Sequence, residues 1–203
     1  MANDRLIITR RGFGIGLVGG AAALALPLPA AALTVDQARA LVGKTIADVN
    51  ATINSGKSAS AMYGDFERIF GRYADVPTIA RSALGPAARS ASNAQLAAFT
   101  TAYRGYMARK YGARFREFIG GQIEVTGARA VKSYFEVISV AKLRGQAPFD
   151  VRWHVSDKSG KDLFFNIIIE GVNMLASERT EIGAMLDRRK GDLNGLIEDL
   201  KRT

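Results

Sequence analysis

Between residues 34 and 119 apolar positions recur at the three- and four-residue steps of an α-helix, and from residue 122 the period drops to two. Thr34 and Gln37 have the spacing of a capping box. Val35, Ala38, Leu41, Val42, Thr45, Ile46, Val49 and Ile53 follow at helical period until Asn54-Ser55-Gly56 stops the run. A second helix over 59–73 buries Met62, Phe66, Ile69, Phe70 and Tyr73. Asp75 caps a third, short helix, with Pro77 in the first turn, where a missing N–H costs nothing, and Gly85 at its end. The longest helix runs from Ser92 to about Ile119. Ser92 and Gln95 repeat the capping box, and Leu96, Phe99, Tyr103, Tyr106, Met107, Tyr111 and Phe118 fall on one face. At ~1.5 Å per residue it is a rod of roughly 40 Å, weakened at Gly105 and Gly112, with a bend or break expected near Gly112. Lys110 and Arg114 lie on the same side as the aromatics. Either they lay their stems on apolar surface with the charge in water, or they meet an anionic group where that surface opens.

The period-two region starts with a short strand, Gln122–Thr126, and a long one, Val131–Arg144, whose middle is apolar on both faces. After a turn at Gly145–Pro148, Phe149, Val151, Trp153 and Val155 alternate with Asp150, Arg152, His154 and Ser156. Asp157–Gly160 makes a hairpin loop. In the last strand Leu163, Phe165, Ile167 and Ile169 share a face, with Phe164, Asn166 and Ile168 opposite. The helical period then returns with Met174, Leu175, Ile182, Met185 and Leu186, and Asp192 caps a final helix that buries Leu193, Leu196, Ile197 and Leu200. Helices, an antiparallel meander and helices again predict an α+β domain, helices packed over a small sheet of about four strands.

Residues 1–32 have a different pattern. A polar, basic start leads to an apolar run from about Gly14 to Leu28 and then to Ala30-Ala31-Ala32, a small-residue cleavage signal. The run is short and Gly-rich for a membrane span. Thr9-Arg10-Arg11-Gly12-Phe13 resembles the twin-arginine export signal, although Gly14-Ile15 departs from its usual continuation and leaves the general secretory route open. The expectation is a cleavable export signal over 1–32, a single domain over 33–203 and a periplasmic location. Gly14-Ile15-Gly16-Leu17-Val18-Gly19 spells a dinucleotide motif, but it lies in this apolar run without the βαβ unit that the motif needs.

Composition narrows the chemistry. The 203 residues carry a net charge of +9, no cysteine and one histidine. Disulfides, thiol catalysis and two-histidine metal sites are therefore excluded. A basic surface suits nucleic acid, anionic lipid or acidic protein, and export argues against nucleic acid. His154 reads as a solvated strand residue rather than a member of a catalytic triad. The paired carboxylates, Asp65 with Glu67 and Glu178 with Glu181, read as solvated helix faces, and neither pair lies in an apolar setting that would tune an acid. No residue argues for an enzyme, and no cofactor is expected. The large apolar side chains are numerous for one small domain, and helices folded over a curved sheet can leave an apolar pocket between the layers.

Three stretches carry a resemblance. They are Asp75–Gly85 ("D…IA+…LG"), the helix with Gln95, Phe99 and Tyr111 ("Q…F…Y"), and Ile168–Met174 through Arg179 to Gly191–Leu200 ("EGVS…R…F…G…LI..L", with Ile182-Gly183 in place of the Phe). In this order and spacing the chain resembles the Mla-type periplasmic phospholipid-binding proteins, also called the toluene-tolerance or ABC-transporter auxiliary family. Asn173 stands where that family usually has Ser, and Asn166 where it has Asp. The resemblance implies a carrier that holds phospholipid acyl chains in an apolar cavity and shuttles between an inner-membrane MCE/ABC transporter complex and an outer-membrane lipoprotein complex. A related branch, associated with hopanoid biosynthesis, implies a hopanoid carrier instead. Two other readings stay open, a lipid-free adaptor and an exported hydrolase or isomerase using an Asp or Glu base. The candidate cavity residues are Phe66, Phe70, Phe99, Tyr103, Met107, Tyr111, Tyr134, Val137, Trp153, Phe165 and Ile167. The candidate head-group residues at the mouth are Arg81, Lys110 and Arg114.

Overall fold

The computed structural model describes residues 32–115 and 119–203, without the side chains of residues 59 and 113–115. The expected export signal, Phe118 and the Arg114 side chain lie outside the described residues.

Capping builds the helices. The Thr34 hydroxyl accepts from the Gln37 N–H while the Gln37 side chain accepts from the Thr34 N–H, and this box opens α1, Val35–Ile53. Ser58 caps α2, Ala59–Tyr73, and Asp75 caps α3, Val76–Leu84, with its carboxylate on the Thr78 N–H. A short 3₁₀ turn, Gly85–Arg89, leads to the Ser92–Gln95 box and α4, Asn93–Phe115. The helix runs through Gly112 without the expected break. A Cβ there would meet Tyr63 Cδ1 at 2.7 Å and Phe66 Cδ2 at 3.2 Å, so this glycine lets α4 lie close against the aromatic side of α2.

Five strands follow in sequence order as one antiparallel sheet: β1 Gln122–Val131, β2 Tyr134–Lys142, β3 Phe149–Ser156, β4 Leu163–Ile169 and β5 Val172–Asn173. The expected boundary between the first two is displaced. The chain turns at Lys132-Ser133, between the paired Val131 and Tyr134, and Lys132 takes a φ of 28° that glycine or asparagine usually supplies. β5 is an unforeseen fifth strand. Glu170 and Gly171, at φ 48° and 81°, make the two-residue turn that brings it back on β4. Asn173 then caps α5, Met174–Arg188, with its side chain on the Ala176 N–H, as the family's serine could. Asp192 caps α6, Leu193–Arg202.

The register decides which side chains face the helices. Val151 pairs with Ile169 and Trp153 with Ile167, but a bulge between His154 and Val155 shifts the pairing so that Val155 faces Phe164. Phe164 therefore joins the helix-facing side of Ile167 and Ile169, and Phe165 does not simply alternate with it as period two predicts. α1 lies across β1–β3, α3 and α5 pack on β4, and α4 is set between α2, α3 and α6. The main core runs between these layers, and Val49, Ile53, Met62, Phe66 and Ala108 form a second cluster where α1, α2 and α4 meet.

Candidate functional site

The layers do not close completely. A cavity of about 160 Å³ lies between them. α2 contributes Phe66, Ile69 and Phe70; α4 contributes Tyr103, Met107, Ala108, Tyr111 and Gly112. The sheet contributes Trp153 and the run Phe164–Ile167 with Ile169, and Thr45, Val49, Ile79, Met174, Leu175 and Glu178 complete the wall. The wall is held by its own rings: Trp153 meets Phe164 edge-on at 5.4 Å, and Phe164 lies 6.3 Å from Phe70. The indole N–H is satisfied inside the sheet, donating to Ser139 Oγ at 3.0 Å, while Ser139 donates to the Val151 carbonyl. That leaves the ring as apolar surface toward the cavity.

Among the eleven residues expected in the wall, Phe66, Phe70, Tyr103, Met107, Tyr111, Trp153, Phe165 and Ile167 border the cavity. Phe99, Tyr134 and Val137 are not among the lining residues. Phe99 and Val137 are fully buried in the main core, Phe99 stacked on Tyr103 at 5.7 Å. Tyr134 lies over the ring of His154 at 4.4 Å, and its T-shaped partner is Phe165.

The expected mouth is arranged differently. Arg81 is exposed on α3 and is not among the lining residues. Lys110 is not a free cation: it donates to Glu178 Oε1 at 2.7 Å and to Glu181 Oε2 at 2.5 Å. Tyr111 donates to the same Glu178 oxygen at 2.5 Å, and Tyr106 donates to Glu181 Oε1 at 2.5 Å. The two carboxylates are not a solvated pair. Glu181 is half-open, but Glu178 is 1% exposed and borders the cavity. Burial and the Glu178 bond together hold the Tyr111 phenol well above its ordinary range. Burial and the Glu181 bond push Tyr106 up to about 12. Burial works against the Lys110 ammonium, but its bonds to Glu178 and Glu181 outweigh that and hold the proton on. Burial likewise raises Glu181, and the bonds from Lys110 and Tyr106 outweigh it and lower the net value.

A periodic signal for Glu178 is present in the sequence. It stands four residues after Met174 and four before Ile182, on the apolar stripe of α5 rather than its solvated face.

His154 is likewise not solvated. It is 9% exposed, within a polar row that the register carries over four strands: Arg129 beside Glu136, Glu136 beside His154, His154 beside Asn166. Arg129 donates to Glu136 at 2.9 Å, His154 Nε2 lies 3.7 Å from Glu136, and Asn166 Oδ1 accepts from the Leu175 N–H at the start of α5. Burial lowers the imidazole's pKa and outweighs the opposing pull of Glu136.

The family model described as MlaC protein matches residues 40–202. The chain belongs to the MlaC family. A solved structure with the same fold is the phospholipid-binding protein from Ralstonia solanacearum in complex with a phospholipid, at a TM-score of 0.69 and 19% identity, over 81% of this chain and 95% of that one. At that identity the likeness gives this MlaC-family chain its architecture, helices over an antiparallel sheet.

Proposed function

We propose that this MlaC-family protein is a lipid carrier that takes phospholipid acyl chains into the cavity between helices and sheet, and shuttles lipid across the periplasm between inner- and outer-membrane complexes. The observation that carries this reading is the cavity itself, about 160 Å³ of space walled by Phe, Tyr, Trp, Ile and Met side chains in a chain of this family. The phospholipid held by the solved relative supports it. An apolar void of ~150 Å³ is enough for a benzene-sized group, so the space as it stands holds one segment of an acyl chain. Full loading spreads the walls, and the seam between α4 and α5, bridged by Lys110, Tyr106 and Tyr111, is where they part. The head group stays outside, because the lining residues include no Lys or Arg among those described. In this reading the wall binds lipid and carries out no chemistry on it. The proposed partners are an MCE/ABC transporter complex on the inner membrane and a lipoprotein complex on the outer membrane. No helix among the described residues is long and apolar enough to cross a membrane.

Transfer of radiolabelled phospholipid between two vesicle populations tests the reading. The protein should accelerate transfer in proportion to its concentration. Transfer at the rate of vesicles alone removes the carrier and leaves the lipid-free adaptor.

A further inference from the structure

Two buried oxygens at the cavity are left over. Glu178 Oε1 is taken by Tyr111 and Lys110, but Glu178 Oε2 is buried and has no hydrogen-bond partner. The phenol oxygen of Tyr103, a fully buried residue that also borders the cavity, has none either. The two belong together electrostatically, since burial first and the Glu178 charge second hold the Tyr103 proton in place. Orphaned buried polar atoms are costly, and a carboxylate oxygen can be satisfied only by a donor.

We propose that the cavity recognises a lipid bearing a hydroxyl group on its buried portion, which donates to Glu178 Oε2, with the Tyr103 phenol as a second polar contact. This rests on the carrier reading and names its ligand more closely. A phosphate is excluded from this end of the cavity. Glu178 is the charged residue among the lining side chains, and the adjacent Lys110 is already shared by two carboxylates. A chain ending in a carboxylate is repelled for the same reason. An ammonium would have to be desolvated beside a carboxylate whose charge Lys110 already meets, whereas a neutral hydroxyl enters at lower cost.

The test uses 1-hexadecanol and its methyl ether, which share the chain and differ in the single donor. Delipidated protein is equilibrated with an equimolar mixture, and the bound ligands are extracted and quantified. Wild type should enrich the alcohol by about tenfold, as a hydrogen bond to a charged acceptor gives. In Glu178→Gln the carbonyl oxygen still accepts from Tyr111 and Lys110, while an N–H replaces the orphaned oxygen and suits an ether equally well. The enrichment should therefore fall to near one. Equal uptake of alcohol and ether by wild type, or an enrichment that survives Glu178→Gln, overturns the inference, and the wild-type comparison stands even if the variant does not fold. A parallel arm measures phospholipid uptake from vesicles. Uptake there without any preference for the alcohol removes this inference alone, and no phospholipid uptake removes the carrier reading beneath it.

Discussion

Tyr111 on α4 donates its phenol hydrogen to Glu178 on α5, at 2.5 Å, and both residues border the cavity. This bond and the Lys110 bridge join the two helices at the seam proposed to part on lipid entry. Tyr111→Phe keeps the ring and removes the bond. Hydrogen bonds to charged groups contribute about 1.5–3 kcal/mol, so urea denaturation should show a loss of about that size. Lipid exchange with vesicles should become faster in the same variant. Unchanged stability together with unchanged exchange would contradict the role of this seam.

Substitutions at Phe70 and Phe99 should separate wall from core. Phe99 is wholly buried against Tyr103, and Phe99→Ala should cost about 3–5 kcal/mol by urea denaturation. Phe70 is half-buried at the cavity, and Phe70→Ala should cost less stability while weakening lipid retention. Equal destabilisation of both, with lipid retained by both, would place Phe70 in ordinary core.

The glycines offer a contrast within the helices. Gly112→Ala drives a Cβ into Tyr63 and Phe66 and should destabilise by about 1–3 kcal/mol, reading as a lower midpoint in a thermal melt. Gly64→Ala on α2 meets nothing within 4 Å and should stabilise by about 0.5–1 kcal/mol through helix propensity.

His154 should make stability depend on pH. Burial lowers its folded-state pKa below the ordinary value of 6.5, so the unfolded chain binds its proton first as pH falls. The stabilising contribution is fully present above pH 6.5 and is lost as pH drops through the lower folded-state value. Urea midpoints at pH 7.5 and 5.5 should differ in wild type, and the difference should shrink in His154→Gln. Glu181, also lowered, adds a loss at more acidic pH, in the carboxylate range, which this window avoids. A difference that is the same in both proteins would contradict the assignment.

Much of the architecture was legible in the pattern. Capping boxes at Thr34–Gln37 and Ser92–Gln95 and caps at Asp75 and Asp192 fall where the structure begins its helices. The alternation of β3 likewise puts Val151, Trp153 and Val155 on its helix-facing side. The β1–β2 turn was hidden because apolar alternation continues across it and Lys132 carries no turn signature. The β4 facing was hidden because a bulge at Phe165 is a pairing property, invisible in one strand alone. At the site, eight of the expected wall residues border the cavity: Tyr103, Met107 and Tyr111 from the apolar stripe of α4, Phe66 and Phe70 from that of α2, and Trp153, Phe165 and Ile167 from the sheet. His154 and the Glu178–Glu181 pair look solvated in the sequence, where Lys110 stays open between water and an anionic group, because none of their tertiary partners lies nearby in the chain. Lys110 gains its carboxylates from a helix 68 and 71 positions away, and the row from Arg129 to Asn166 exists only once four strands are in register.

Native mass spectrometry of the protein purified from a bacterial periplasm without detergent, followed by solvent extraction, asks whether this protein carries lipid. A carrier should show a discrete mass excess of one lipid molecule that extraction resolves into a phospholipid or a hydroxylated lipid. A clean protein mass, with no uptake after incubation with phospholipid vesicles, would contradict it.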